Sequence, residues 1–429
     1  MTQASPTRTL PVAADILPLR MRADIRRGWL KQRLTMILPE LMQRTNIDVW
    51  LVIAREYNED PVIMSLLPEP SMSARRRTIL MFTRQADGNV ECISFDRYGF
   101  AGFYERGWDP DTGEGQYACL ARMLRERDPQ CIGLNVSKTF AFSDGLSHTE
   151  YEQLAAALGP ELMARTVSAE ALAVGWLERR LPAELEIYPS LVDLGHRIIA
   201  EAFSARVIRP GITSTEDVVW WMRQTMHDLG VQAWFQPSIS IQAAGQSYEK
   251  KDNVRTLIQA GDLLHCDMGF YYLGLATDQQ QHAYVLRPGE QNAPQGLQDA
   301  LAAGNRLQDI LMQSMQLGLT GNQVLLKALE HARNEGLEPS IYTHPLGYHG
   351  HAAGPTIGLW DQQQGVAGAG DYALFDYTCY SIELNVKHAV PEWNQQKVQI
   401  ALEEDALLAG GEVRFLSGRQ TQLHIIPGS

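Results

Sequence analysis

Gly261-Asp262-Leu263-Leu264-His265-Cys266-Asp267-Met268-Gly269-Phe270-Tyr271-Tyr272-Leu273-Gly274-Leu275-Ala276-Thr277-Asp278 is the stretch whose reading decides the fold. Leu263 to Cys266 reads as a strand, and Tyr271 to Ala276 as its hairpin return. Asp267 and Asp278 then lie on adjoining strands, 278 − 267 = 11 residues apart. A hairpin can bring two such carboxylates to one site, where each can hold a cation. By themselves, two acids at this spacing fit a turn cap and a surface residue equally well.

Three later stretches shift that balance. His344-Pro345-Leu346-Gly347-Tyr348-His349-Gly350-His351 places three of the chain's eleven histidines within eight residues. Its Gly and Pro punctuation makes it a loop-rich segment rather than a helix face. A lone histidine is more often structural, whereas a cluster points to a site. Ser381-Ile382-Glu383-Leu384-Asn385-Val386 sets a glutamate in an otherwise apolar strand. A buried, unpaired carboxylate is costly, so Glu383 calls for a cation or strong donors. In the segment from Val398 to Leu408, Val398, Ile400 and Leu402 share one face and Glu403 points with Gln399 and Ala401. Glu404 and Asp405 are expected in a solvated turn. Asp267, Asp278, His344, Glu383 and Glu403 together are the ligand types that hold a pair of divalent cations.

These four elements, in this order, resemble the pita-bread metallopeptidases: the aminopeptidase P, prolidase and methionine aminopeptidase group. The family pattern is Asp-x-Gly … Asp, then His-x-x-Gly with a second His seven residues on, then a Glu in a strand, then a Glu before an acidic pair. Here His344-Pro345-Leu346-Gly347 fits the ligand motif, 344 + 7 = 351 reaches the second histidine, and Pro210-Gly211-Ile212-Thr213 is similar to the family's turn before its second helix. The resemblance covers residues from about 183 to 429.

It implies two divalent metal ions per subunit, with Mn²⁺ preferred and Co²⁺ or Zn²⁺ as alternatives. Asp267 and Asp278 would hold one, Asp278 bridging. His344 and Glu383 would complete the other, and Glu403 would bridge. A metal-bridging hydroxide would attack the scissile carbonyl. Glu383 would carry a proton to the leaving amine, and His351 would hydrogen-bond the substrate. The implied activity is hydrolysis of Xaa-Pro bonds, of prolidase or aminopeptidase P type, by a homodimer acting on proline-containing peptides. The alternatives are a metallohydrolase of this fold without proline preference and a non-catalytic binding protein.

The sequence departs from the family in three places. The usual histidine upstream of the first Asp is absent from Gln246 to Lys251, and Lys250 stands nearest its position as a substrate-binding candidate. Leu384, Asn385 and Lys387 stand where Pro-Gly and then Tyr are usual. Ala401 replaces the prolidase arginine that grips the substrate's far carboxylate, and Lys387 is the nearest other cation. His349 lies between the motif histidines as a further pocket candidate. His265, two residues before Asp267, is assigned no role by the family pattern.

The 429 residues suggest two or three domains. The expected architecture is a creatinase-like α/β N-terminal domain over 1–180 and an α+β pita-bread catalytic domain over 181–429. In the first, an amphipathic helix over 22–45, broken near Pro39, precedes strands near 47–53, 77–83, 89–96 and 131–135, with helices over 149–158 and 168–177. In the second, helices are expected over 183–205, from Thr213 with Glu216 as a capping box, and over 296–318 and 321–334. Net charge is −13 and no dense Lys/Arg run occurs, which argues against a nucleic-acid surface. Arg75-Arg76-Arg77 reads as the solvated start of a strand. Five widely spaced cysteines without a Cys-x-x-Cys pair suit reduced thiols in the cytoplasm. No stretch nears the roughly 20 apolar residues of a membrane span.

Overall fold

The computed structural model describes residues 16–246 and 256–428. The chain opens with helices α1 (Leu19–Gln32) and α2 (Leu38–Thr45), joined by a wider π turn at Arg33–Ile37. Pro39 supplies the reason: it has no N–H to donate into the preceding turn, so the hydrogen-bond register widens just before it. The next strands are β1 (Val49–Arg55), β2 (Arg77–Arg84), β3 (Val90–Ser94), β4 (Glu105–Arg106), β5 (Ile132–Leu134) and β6 (Thr166–Ser168). They form one six-stranded sheet in the order β4-β3-β2-β1-β5-β6. β1 pairs antiparallel with β2 and parallel with β5, so the sheet is mixed. Helices α3 (Pro61–Leu66), α4 (Gln116–Arg127), α5 (His148–Met163) and α6 (Glu170–Glu178) connect and cover it.

Helix α7 (Pro182–Ala202) leads to α8 (Thr215–Leu229). The capping box of α8 is Ser214 with Asp217, one residue later than Thr213 with Glu216. The Thr213 hydroxyl is engaged elsewhere, accepting from the Arg209 N–H at 2.9 Å, which leaves Ser214 to receive the Asp217 N–H. The strands that follow are β7 (Gln232–Ala233), β8 (Ser238–Gln242), β9 (Leu263–Met268), β10 (Phe270–Tyr272), β11 (Leu275–Ala276) and β12 (Gln279–Val285). Helices α9 (Gln295–Ser314) and α10 (Gly321–Asn334) follow.

The remaining strands are β13 (Glu338–Ile341), β14 (His344–Leu346), β15 (Thr378–Ser381), β16 (Leu384–Val390), β17 (Gln396–Leu402), β18 (Asp405–Ala409), β19 (Glu412–Phe415) and β20 (His424–Ile426). Their sheets run β20-β12-β9-β8, β13-β16-β17 and β14-β15-β18-β19. Three chain segments pass from one sheet to another at one level. β13 gives way to β14, β15 to β16, and β17 to β18, with Ile341 beside Leu384 beside Leu402 on one side of the break and His344 beside Ser381 beside Asp405 on the other.

The expected hairpin exists in altered form. The return strand of β9 is β12, with Asp267 opposite Gln280. Tyr271 to Ala276 is instead a tight hairpin, β10–β11, that pairs with β7. Its turn, Leu273-Gly274, has φ of 56° and 82°, the positive pair of a type I′ turn, which glycine adopts without strain.

A single buried cluster runs from Trp29 and Trp50 through Trp176 and Tyr188 to Phe270 and Ile426, so both halves of the chain share packing. A second cluster joins α9 and α10 to the β16–β17 face. No helix among the described residues is long and apolar enough to cross a membrane.

Candidate metal centre

His344, Glu383 and Glu403 sit at the three sheet-to-sheet breaks: His344 opens β14, Glu383 lies between β15 and β16, and Glu403 lies between β17 and β18. Backbone that leaves one ladder and joins another turns its side chains off the regular alternation, which aims all three inward. Asp267 near the end of β9 and Asp278 just before β12 complete the group. An isolated bridge between Gln280 and Glu403 joins the two sheet systems at this level.

The ligand atoms group tightly. Those of Asp267, Asp278 and Glu403 lie within 4.8 Å of one another, as do those of His344, Glu383 and Glu403. A third set, Asp278, His344 and His351, is equally close. The five residues expected to hold metal are thus brought together, and His351 stands beside them. Its ring meets His344 edge-on at 4.6 Å and Trp234 at 5.2 Å.

The electrostatics of this cluster are unfavourable without a cation. Burial, with the neighbouring carboxylates, pushes Asp267, Asp278 and Glu383 well above the usual carboxylate range. Burial acts the same way on Glu403, but in the cation-free cluster a His344 ring protonated on Nε2, together with Ser381 and Gln280, outweighs it and holds Glu403 low. The imidazole adds to the argument. His344 Nδ1 lies 3.0 Å from the Pro345 carbonyl, so it carries the proton and donates there. In the neutral ring, the form that binds metal, Nε2 presents a lone pair 3.3 Å from Glu403 Oε1, 3.6 Å from Asp278 Oδ2 and 3.8 Å from Glu383 Oε2. A lone pair aimed at three carboxylates is repulsive until a cation lies between them. Asp267 Oδ1, Asp278 Oδ1 and His344 Nε2 are buried and make no hydrogen bond among the described residues. Donor set and orphaned atoms both fit divalent metal.

The surroundings hold the centre in place. Gly350 allows the Trp234 ring to approach, since a Cβ there would stand 2.0 Å from it. Trp234 Nε1 donates to the Thr277 carbonyl at 2.9 Å, tying this ring to the residue before Asp278. Behind the histidine loop, Glu184 is buried between Arg33 and Arg180 and accepts from the Tyr348 hydroxyl at 3.0 Å. An N-terminal arginine thus reaches the loop that carries His344 and His351.

Glu404 and Asp405 overturn the expectation of a solvated turn, being 1% and 0% exposed. Glu404 lies 2.6 Å from His196 Nε2 and accepts from Gln281 and from the Gln420 backbone. Asp405 accepts from the Asp278 N–H. Both face inward because the chain changes sheet at Glu403 instead of turning into solvent. His349 is not in the ligand cluster. It stacks on Phe142 at 4.8 Å and lines a separate cavity of about 170 Å³ with Trp29, Leu273 and Tyr348. Lys250 lies outside the described residues.

Sequence reading missed Gln280 and Trp234. The signal for the first was Gln279-Gln280-Gln281, three polar residues on a strand where all three prove buried.

Among curated proteins, none matches the sequence. The fold is similar to that of X-Pro aminopeptidase from Thermotoga maritima, with a TM-score of 0.62 at 14% identity, covering 89% of this chain and 99% of that one. It is similar to a dipeptidase from Mycobacterium ulcerans, with a TM-score of 0.61 at 16% identity, covering 94% and 99%. An Escherichia coli aminopeptidase P variant gives a TM-score of 0.59 at 13% identity, covering 92% and 96%. The model of metallopeptidase family M24 matches residues 191–409, just over half of the chain and spanning all five clustered ligands. The chain belongs to metallopeptidase family M24.

Proposed function

We propose that this protein is a peptidase that uses two divalent cations, Mn²⁺ first among them, to cleave peptides with proline after the scissile bond. The observation that carries the reading is the His344 lone pair set among Asp278, Glu383 and Glu403, in a cluster with orphaned buried oxygens. Asp267, Asp278 and Glu403 would hold one cation, and His344, Glu383 and Glu403 the other, with Asp278 close to both sets. When bound, the pair supplies a nucleophile from water at neutral pH and positive charge for the developing oxyanion. Glu383, raised in proton affinity by burial, takes the proton of the attacking water and delivers it to the leaving amine. His351, on the rim beside His344, donates to the carbonyl oxygen of the substrate.

The proposal favours longer peptides over free dipeptides. Ala401 stands directly opposite Asn385, and Asn385 opposite Ser340, so this row near the metal centre carries no cation. Lys387 follows two residues on, on the Asn385 face, four residues after Glu383. An extended chain places it about 13 Å along the strand. There it lines a cavity of about 710 Å³ with Arg333, Tyr342, Trp360 and Asn385. A cation so far out suits the end of a longer substrate. The five free cysteines suit a reducing, cytoplasmic setting, and the proposed assembly is a homodimer.

The test is metal analysis followed by hydrolysis of Xaa-Pro dipeptides, Xaa-Pro-Yaa tripeptides and proline-free peptides with Mn²⁺, Co²⁺ or Zn²⁺. No bound divalent metal and no Mn²⁺-dependent hydrolysis would sink the peptidase reading. Faster cleavage of proline-free peptides would keep the chemistry and overturn the specificity. Glu383→Ala is expected to lose activity by roughly 10²–10⁴-fold and to retain less metal.

A further inference from the structure

Gln280 occupies a position that neither the ligand set nor the proposed chemistry uses. It stands on β12 directly opposite Asp267, and it is tied to Glu403 twice over. Its backbone N–H donates to the Glu403 carbonyl at 3.0 Å, and the Glu403 N–H returns the bond at 3.3 Å. Its side-chain Nε2 donates to Glu403 Oε2 at 2.7 Å and to Glu383 Oε1 at 2.6 Å. Both amide hydrogens are therefore spent on carboxylates from two different sheet breaks.

That leaves Gln280 Oε1 as an acceptor only, and His265 Nε2 lies 2.8 Å from it. An amide oxygen cannot donate, so His265 carries its proton on Nε2. His265 Nδ1 is then the acceptor, and the Ser240 hydroxyl stands 3.4 Å away. Turning the amide over would put its oxygen against two carboxylates and its NH₂ against a donating imidazole. Ser240, His265 and Gln280 thus form a directed chain of donors ending on Glu383 and Glu403.

The chain also decides which oxygens remain. With Glu383 Oε1 and Glu403 Oε2 taken by the amide, the oxygens it leaves are Glu383 Oε2 and Glu403 Oε1, the second of which also accepts from the Ser381 hydroxyl at 2.5 Å. These are the oxygens that face His344 Nε2. A neutral amide can do this without adding to the negative charge of four buried carboxylates, which a glutamate at 280 could not.

We propose that Gln280, oriented by His265, is the positioning residue that holds Glu383 and Glu403 with one oxygen each turned toward His344, and so sets the affinity of the cation site those three residues share. This rests on the two-cation reading above. Groups that orient metal ligands typically change metal affinity or activity 10–100-fold when removed. His265 touches no ligand and acts only through the amide.

The test is Mn²⁺ titration calorimetry on metal-free full-length protein, with thermal unfolding of the same samples to confirm the fold. Gln280→Met keeps the side chain's length and removes its donors. It is expected to weaken one of the two Mn²⁺ steps about tenfold or more. His265→Leu should weaken the same step in the same direction, whereas His265→Gln, which retains a donor, should restore it. The Gln280→Met/His265→Leu double variant should be no worse than Gln280→Met within about twofold, because removing the orienter matters only while the amide is present. Wild-type Mn²⁺ constants in Gln280→Met, or additive losses in the double variant, would overturn the inference and leave the peptidase reading standing. If Gln280→Met does not fold, the contrast of His265→Leu with His265→Gln decides: equal isotherms overturn the proposal. A wild-type protein that binds no Mn²⁺ overturns this inference and the two-cation reading together.

Discussion

The carboxylate of Asp405 receives the backbone N–H of Asp278 on both oxygens, at 3.2 and 3.3 Å. Asp405 is fully buried and belongs to β18, while Asp278 precedes β12, so this contact fastens two sheet systems at the metal centre. It also fixes the main chain at a residue whose own Oδ1 is left without a partner. Asp405→Ala is expected to lower Mn²⁺ affinity by roughly 10–100-fold, measured by calorimetry, although Asp405 is in none of the clustered ligand sets. Affinity equal to wild type would show that Asp278 is held by the rest of its strand.

His351 separates ligand from substrate contact. Its ring lies against His344 but is the exposed member of its group. His351→Ala should cut kcat by roughly 10²–10³-fold with Mn²⁺ binding intact. A parallel loss of metal would make it a ligand instead.

Ala401 offers a gain-of-function test. An arginine there would project from the row shared with Asn385 and Ser340, close to the centre. Ala401→Arg should raise kcat/KM for Xaa-Pro dipeptides relative to tripeptides about tenfold, the worth of one charge-assisted hydrogen bond. An unchanged ratio would place the carboxylate-binding position elsewhere.

Glu178 controls stability against pH. It is buried with neither oxygen hydrogen-bonded, and burial raises it from the usual 4.5 to about 8 despite Arg44, Arg179 and Arg180 nearby. Between those values the unfolded chain has released the proton and the folded protein still holds it. The native state binds more protons there, so the contribution of Glu178 to stability falls as pH rises through that window and levels off above about 8. Glu178→Gln should therefore gain stability over wild type from pH 5 to pH 8, by on the order of 2 kcal/mol at the upper end. Urea unfolding at the two pH values measures it, and a pH-independent difference would contradict the assignment.

Much of the site was legible in the chain because metal ligation demands few residue types in a set order. Asp267, Asp278, His344, Glu383 and Glu403 could be picked out by type and spacing, and all five converge. The hairpin expectation located the two aspartates while mistaking their partner strand, since alternation does not say which segment a strand pairs with. Glu404 and Asp405 misled for the reverse reason. Three consecutive acids read as solvated unless the chain changes sheet beneath them, and their partners His196 and Asp278 lie 208 and 127 residues away.

The sequence alone therefore singled out five candidate ligands in their order, from side-chain chemistry and short-range pattern, and through its resemblance to a known family the class of fold. Only the tertiary structure decided which acids are buried, which carboxylate oxygens remain for a cation, and that a glutamine and a histidine orient them. Those outcomes depend on three strands changing sheets at one level, and contacts between such distant segments leave no periodic trace in the chain.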